Sequence, residues 1–385
     1  MALQTSGVIT LNDIHVEAGG SSGSACTIND SDIRGLISKG SGASMSFSEW
    51  YGASNYSYGG NAIWGSRWIT SAGNRYNQQG GYDSLGTTLS ELQYDDFNAG
   101  GTASLFGDMT ADVYGASAVS NGSRIVFVGQ QRTSPWSYVG SNRMKYVTVS
   151  STGNATTFGT LAYGGTYGSS AMDTAGRAVN SPGETTNGNT YTSNLQYFQI
   201  STTGNASSFG TLPFGVKNQG ATESTAGRLL WAGGGRYSST NYNHLHYISS
   251  ASVGGTGSDF GDLTTRRRYT SAATNGTRAL IMGGAGHAVY SNSLDNRFNM
   301  NYVTISTTGN ASDFGNNTYA RADPAATSNG TRALVMGGVI RGGPGWSYYY
   351  TGSNIEYSTI STLGNASSFG NLLYYARNFD AASGS

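Results

Sequence analysis

Cysteine, proline and charge are all scarce in this chain of 385 residues. The single cysteine, Cys26, excludes an intrachain disulfide, so the fold does not rely on a covalent staple. Proline occurs only 5 times; Lys, Glu and Leu are also few beside abundant Gly, Ser, Thr, Asn and Tyr, and that balance does not fit a helical protein. Charged residues are 11% of the chain, with 21 basic side chains against 21 acidic ones. That balance leaves no electrostatic footprint for nucleic acid or for an anionic membrane surface. No apolar run reaches the roughly 18 residues that mark a transmembrane helix, so none is expected. Met1 to Ser6 lacks a basic stretch leading into an apolar run, so a secretory signal peptide is not expected either.

What is plentiful is glycine (58) and tyrosine (26), the composition of short strands joined by tight turns. The order in that composition is a repeat. The phrase ISTTGNASSFG ends at Gly210, and close copies end at Gly159, Gly315 and Gly370. Weaker copies end at Gly107 and Gly261. The anchor phenylalanines Phe106, Phe158, Phe209, Phe260, Phe314 and Phe369 are separated by 52, 51, 51, 54 and 55 residues. Upstream of each, by 12 or 13 residues, stands a tyrosine: Tyr94, Tyr146, Tyr197, Tyr247, Tyr302 and Tyr357. Each unit also has an arginine after a glycine-containing turn: Arg67, Arg124, Arg177, Arg228, Arg278 and Arg332. Phe to the next Arg is 18 or 19 residues, whereas Arg to Tyr ranges from 19 to 27. Length variation is thus confined to one loop.

The last complete unit reads as four strands. YARADPAATS supplies strand A, NGTR a tight turn, ALVMGG an apolar strand B, NIEYSTIS an alternating strand C, and ASSFGNL strand D. Four antiparallel strands in about 50 residues make a propeller blade. After Phe369 the chain offers one more strand A, in RNFDAASGS, while RWITSAG from Arg67 is a strand B without its A. Their pairing is expected to close the ring and remove its open edges. The expected fold is therefore all-β: a six-bladed propeller closed by pairing of the C-terminal strand with the first blade.

The units resemble kelch repeats over roughly residues 60–385. The residues that carry this are the apolar strand B ending in Gly-Gly (Gly233-Gly234, Gly283-Gly284, Gly337-Gly338), the tyrosine of strand C and the aromatic of strand D. Phe stands where kelch repeats usually have Trp, and the Gly-Gly pair is degraded in the first two blades and missing in the third. The resemblance implies a propeller, and kelch-type adaptor function does not follow from it.

Residues 1–54 do not repeat and are read as an N-terminal segment ahead of a propeller over 55–385. SGVITLNDIHVEAGGSS and TINDSDIRGLISKGSG each read as a short strand or helix, with Asp30 or Ser31 placed to cap a helix over 32–38. MSFSEWYGAS suits one more helical turn. No single piece is long enough for a core of its own, so packing on the propeller or on another chain is expected. GVITLNDIHVEAGG, SDIRGLI and MSFSEWYGAS together resemble the N-terminal segments of bacteriophage tail and fibre proteins. The resemblance implies a virion structural protein attached to the particle through this segment, with Ile9, Leu11, Ile14, Val16, Ile33, Leu36, Ile37, Phe47 and Trp50 as the apolar contact residues. Homo-oligomerisation is implied with it.

In a propeller the B–C and D–A connections share one face and the A–B and C–D turns the other. Here the second face is short and repetitive while the B–C loops vary, the layout of a scaffold that presents recognition loops. Three of those loops are rich in aromatics: Trp136 and Tyr138; Arg236, Tyr237 and Tyr242; and Trp346, Tyr348, Tyr349 and Tyr350. Such side chains give rigid contact area and stack on sugar rings, or else pack against neighbouring loops or subunits. The six arginines are read as structural, capping their own hairpins or pairing with neighbouring blades. Asn-Ala-Ser/Thr at Asn154, Asn205, Asn310 and Asn365 matches the glycosylation sequon, but its recurrence at one turn points to a structural cause. His244 and His246 lie two apart on one strand without a third or fourth ligand, so no metal is expected, and no cofactor. Carboxylates on the variable loops (Glu184, Asp295, Asp83, Glu91) form no nameable acid and nucleophile pair, so the chain is not expected to be an enzyme. The expected function is a phage tail-fibre or tail-tip protein whose propeller loops contact a host surface glycan or protein. The alternatives are a purely structural virion decoration or adaptor, and a glycan hydrolase. Expected partners are other virion proteins and the host surface, with neither nucleic acid nor membrane insertion, and the expected location is the phage tail.

Overall fold

The computed structural model describes residues 8–18, 22–30, 33–34, 37, 39, 42, 44–50, 67–70, 74–75, 87–88, 90–110, 113–134, 137–138, 142–172, 176–184, 191–223, 227–236, 240–249, 253–286, 298–341, 349–377 and 379–384. The chain divides into two compact units, Met1–Ser57 and Tyr58–Ser385. The second is a six-bladed β-propeller. Blade 3 is representative: Ser169–Met172 (strand A, innermost), Arg177–Ser181 (B), Asn194–Gln199 (C) and Ser207–Thr211 (D), each antiparallel to the next. The same order recurs in blade 2 from Val113–Ser120, blade 4 from Gly220–Glu223, blade 5 from Ser271–Thr274 and blade 6 from Ala325–Ser328. In blade 1 the innermost strand is the C-terminal Ala381–Gly384, paired with Arg67–Thr70 so that Arg67 faces Gly384 and Thr70 faces Ala381.

Burial explains why these sequences sort into these places. Strand A is buried along its length and strand B at all but its leading arginine, whereas strand C buries its second, third and fifth residues and strand D little beyond its phenylalanine. Strands A and B are sandwiched between two neighbouring blades, so both faces must be apolar or small and no alternation appears. The core accordingly lies between blades. Leu195, Phe209 and Val179 of blade 3 pack on Leu229 and Trp231 of blade 4. Blade 6 meets blade 1 in the same way, through Leu334, Met336 and Ile355 against Phe97 and Ala381.

The repeated Phe-Gly has a specific cause. In every blade the C–D pairing slips by one residue at the phenylalanine, as where Leu195 faces Gly210 but Gln196 faces Ser208, leaving Phe209 unpaired. Equivalent bulges skip Phe106, Phe158, Phe260, Phe314 and Phe369. A bulge frees a backbone group from the ladder, and the next blade uses it. Gly204 N–H donates to Phe158 O at 3.0 Å, Gly309 to Phe260 O at 2.7 Å and Gly364 to Phe314 O at 2.9 Å. The sequon asparagines complete this seam. The side-chain oxygens of Asn154, Asn205, Asn310 and Asn365 accept from the backbone N–H of Asp108, Thr160, Asp262 and Asn316 at 3.0, 3.1, 3.0 and 3.0 Å.

The six Arg–Tyr–Phe sets are also structural. Each tyrosine meets its phenylalanine edge to face, with centroids 5.6–6.3 Å apart in the extreme pairs Tyr94–Phe106 and Tyr357–Phe369. Each arginine lies over the same tyrosine, at 4.4 Å for Arg124 on Tyr146 and 5.8 Å for Arg177 on Tyr197. From there the guanidinium reaches into the following blade. Arg67 donates to Val149 O, Arg124 to Ile200 O, Arg228 to Ile305 O, Arg278 to Ile360 O, and Arg332 of blade 6 to Phe97 O of blade 1.

The N-terminal unit departs from the expectation that it lacks a core. A helix over Leu11–Glu17 starts at a capping box, in which Thr10 and Asp13 exchange side-chain to backbone bonds. A 3-10 turn follows over Phe47–Trp50. Ile14, Ile33 and Trp50 are fully buried together, ringed by Ile9, Leu11, Cys26, Ile28, Ile37 and Met45, and the Trp50 indole N–H donates to Ile33 O at 3.1 Å. No single piece could bury these residues, but three converging pieces do. Ile33 and Arg34 are helical, while most of the helix expected over 32–38 lies outside the described residues. Among the described residues no helix is long and apolar enough to cross a membrane.

Candidate functional site

Where strand A of each blade begins, the six blades converge on the mouth of the central channel. A depression there is open to solvent and lies on the face that carries the variable B–C loops. Counting from each anchor phenylalanine, the ninth residue is Gly115, Tyr167, Asn218, Tyr269 or Asp323 in blades 2 to 6, and all five have left-handed backbones with φ of 64, 56, 60, 60 and 62°. Four of them are not glycine, and for tyrosine this conformation is strained. The strain has a use. It lets Asn218 N–H donate to Tyr167 O (3.0 Å), Tyr269 to Asn218 O (2.9 Å) and Asp323 to Tyr269 O (3.0 Å), a backbone chain that passes from blade to blade around the channel.

The eleventh residue forms the next layer down: Ser117, Ser169, Gly220, Ser271, Ala325 and Asp380. Ser117 and Ser170 bond through their hydroxyls at 2.7 Å, and Asn180 donates to Ser170 at 3.0 Å. Asp380 is half-buried by surface, with its carboxyl set deep among the inner strands. Loss of hydration pushes this carboxyl up to about 7, against the opposing effect of two backbone donors, Ala118 N–H and Ala381 N–H, each at 2.9 Å. The folded protein therefore holds this proton more tightly than the unfolded chain, whose aspartates titrate near about 4. Between about 4 and about 7 the unfolded state binds fewer protons, so this group's contribution to stability falls as pH rises through that window. Melting curves across that range should show Asp380→Asn losing less stability with rising pH than the wild type. Parallel profiles would show that Asp380 titrates as an ordinary aspartate.

The rim is braced by an ion pair between Lys217 and Glu184, whose ammonium lies 5.1 Å from the Tyr167 ring centroid and 5.7 Å from that of Tyr191. Glu184, noted in the sequence as a loop carboxylate, is thus tied to a cation. Arg236 donates through Nε to Gly215 O at 2.6 Å and lies over Phe214, which Tyr242 also contacts at 5.2 Å. His246 is buried between Phe214 and His244. Its imidazole is shifted below the usual histidine range, first by dehydration and then by His244, which itself contacts Asp262 at 3.2 Å. No group of three or more His, Cys, Asp or Glu side chains suited to a metal gathers among the described residues.

Several variable loops are built as β-ribbons. Val339–Arg341 pairs with Tyr349–Thr351, Gly235–Arg236 with Thr240–Asn241, Asn74–Arg75 with Thr87–Thr88, and Ser137–Tyr138 with the extended strand B of blade 2. Tyr138, Tyr349 and Tyr350 belong to these ribbons, whereas Trp136, Tyr237, Trp346 and Tyr348 lie outside the described residues. Of the proposed attachment residues, Ile14, Ile33 and Trp50 are in the local core, Val16 and Phe47 are exposed, and Leu36 lies outside the described residues.

Sequence reasoning did not find the channel mouth. Its residues differ in type from blade to blade, and the signal that marks them is a shared offset, nine and eleven positions after each phenylalanine. No protein-family model matches the chain, and no curated protein does. The likenesses to kelch repeats and to phage tail proteins therefore rest on the residues quoted for them.

Proposed function

We propose that the chain is a non-enzymatic recognition protein of a phage virion, a tail-fibre or tail-tip component whose loop-bearing propeller face contacts a host surface glycan or protein. The observation that supports it is the contrast between the two faces. One is spent on seam bonds that repeat from blade to blade, and the other raises ribbons of unequal length around a polar channel mouth. A rigid scaffold with variable loops is a common arrangement for binding. The virion assignment rests on the N-terminal likeness. Among the described residues of that unit Val8, Val16 and Phe47, at 82%, 44% and 46% exposure, are the large apolar side chains left for docking to the particle, because Ile14, Ile33 and Trp50 are used internally. Homo-oligomerisation through the same unit belongs to this reading.

Labelled protein should bind intact cells of a susceptible strain within a bacterial panel, and a folded Trp346→Ala/Tyr349→Ala variant should bind markedly less. Absence of binding across the panel by a protein that still assembles into particles would favour a structural adaptor instead.

A further inference from the structure

Three polar side chains at the channel mouth have no protein partner among the described residues. They are the Ser169 hydroxyl, the Ser271 hydroxyl and the Asn218 amide nitrogen. These residues are only 6%, 7% and 7% exposed, and all three line the depression. A buried hydroxyl or amide without a partner costs about 1–3 kcal/mol, and its presence in a native fold calls for an explanation. Here three such groups, from blades 3, 4 and 5, converge on one opening.

The character of the lining narrows what they bind. Two carboxyls, Asp323 and Asp380, contribute to it, and no Lys, Arg or His does among the described residues. Anionic ligands such as phosphate or a sugar acid are therefore disfavoured. Both oxygens of Asp380 already accept backbone N–H groups, and no group of three or more His, Cys, Asp or Glu side chains gathers among the described residues, which suits a neutral ligand better than a metal cation. Serine hydroxyls can both donate and accept, the Asn218 nitrogen donates, and the carboxyls accept. That mixture matches sugar hydroxyls, which are themselves both donors and acceptors. The half-buried Tyr167 ring borders the opening, with the Lys217 ammonium, itself paired with Glu184, 5.1 Å from its centroid.

We infer that the channel mouth is a binding site for one neutral hexopyranose, the non-reducing end of a surface glycan, held by Ser169, Asn218 and Ser271. The inference rests on the recognition reading above and assigns its ligand class.

The test uses the full chain and saturation-transfer NMR with the methyl glycosides of glucose, galactose and mannose, alongside N-acetylneuraminic acid and calcium chloride. At least one neutral glycoside should bind, and the two controls should not compete. The Ser169→Ala/Ser271→Ala variant should lose about tenfold or more in affinity, as expected where a site built to hydrogen-bond hydroxyls is emptied of its donors. Its melting temperature should stay level or rise, because the deleted hydroxyls have no protein partners. Binding of none of the three glycosides, binding of only the acid or only calcium, or undiminished glycoside binding by the variant would overturn the inference. Cell binding separates it from the broader reading. Loss on Trp346→Ala/Tyr349→Ala but not on the serine variant would overturn the pocket and leave the reading standing. Glycoside binding that depends on the serines, in a protein that ignores cells, would support the pocket and overturn the reading.

Discussion

Gly159→Ala is expected to destabilise the propeller by about 3–5 kcal/mol, the sum of an overpacking cost and the seam hydrogen bonds it breaks. A β-carbon at position 159 would sit 2.0 Å from Gly204 O and 2.5 Å from the carbon of the same carbonyl. Both are backbone atoms of the turn in blade 3, so no flexible side-chain end can move aside. Separating the blades to make room would stretch three bonds of one seam: Gly204 N–H to Phe158 O (3.0 Å), Ala206 N–H to Thr160 O (2.8 Å) and Thr160 N–H to the Asn205 side chain (3.1 Å). Gly204→Ala is the control. It lies on the other side of the same contact, with nothing within 4 Å of its added carbon and no left-handed backbone, so a change within about 0.5 kcal/mol is expected. Urea unfolding of the two variants should separate them clearly. Equal midpoints would mean that blades 2 and 3 can part at this seam at little cost.

The same seam shows which features a sequence reveals. The phenylalanine, tyrosine and arginine of each unit contact one another or the same backbone atoms of the next unit, so every blade needs the same residue types and the repeat is visible. The Asn-Ala-Ser/Thr turns are visible for this reason, and their cause is the inter-blade bond made by each asparagine side chain. The bulge at each phenylalanine shows only as the repeated Phe-Gly, which marks the position but not the slip in register that causes it. The channel mouth is hidden for the opposite reason. Tyr167, Asn218, Tyr269 and Asp323 share a backbone conformation but not a side chain, and the partners at each position are about 50 residues away in sequence. The N-terminal core escapes notice because Ile14, Ile33 and Trp50 come from three separate short pieces that show no common period.

Arg321 and Glu356 form the other feature with a large expected effect. They meet at 2.6 Å with side-chain exposures of 0% and 1%. Arg321 also donates to Gly337 O and Asn354 O, and Glu356 accepts from Thr318 N–H at 2.8 Å and from the Thr318 hydroxyl. Blade 5 has the same arginine, Arg267, on the equivalent carbonyls of Gly283 and Asn299, but Asn301 stands in the place of Glu356. Dehydration lowers Arg267 to about 10, still far above neutrality, and the charge of Asp313 opposes that fall, so this buried guanidinium stays charged without a directly bonded carboxylate. The two partners of the ion pair should therefore be unequal. Arg321→Met strands a buried carboxylate and is expected to cost about 3–5 kcal/mol. Glu356→Gln puts an amide where blade 5 has Asn301 and leaves Arg321 its two carbonyls, but Ser368 stands opposite where blade 5 has Asp313, so a cost of about 1.5–3 kcal/mol is expected, the scale of a lost charged hydrogen bond. The double variant should recover much of the Arg321→Met loss, because the stranded charge is gone. Urea denaturation of all four proteins gives the coupling energy directly. A coupling near zero, or a Glu356→Gln loss as large as that of Arg321→Met, would show that the carbonyl cradle of blade 6 does not hold its arginine as that of blade 5 does.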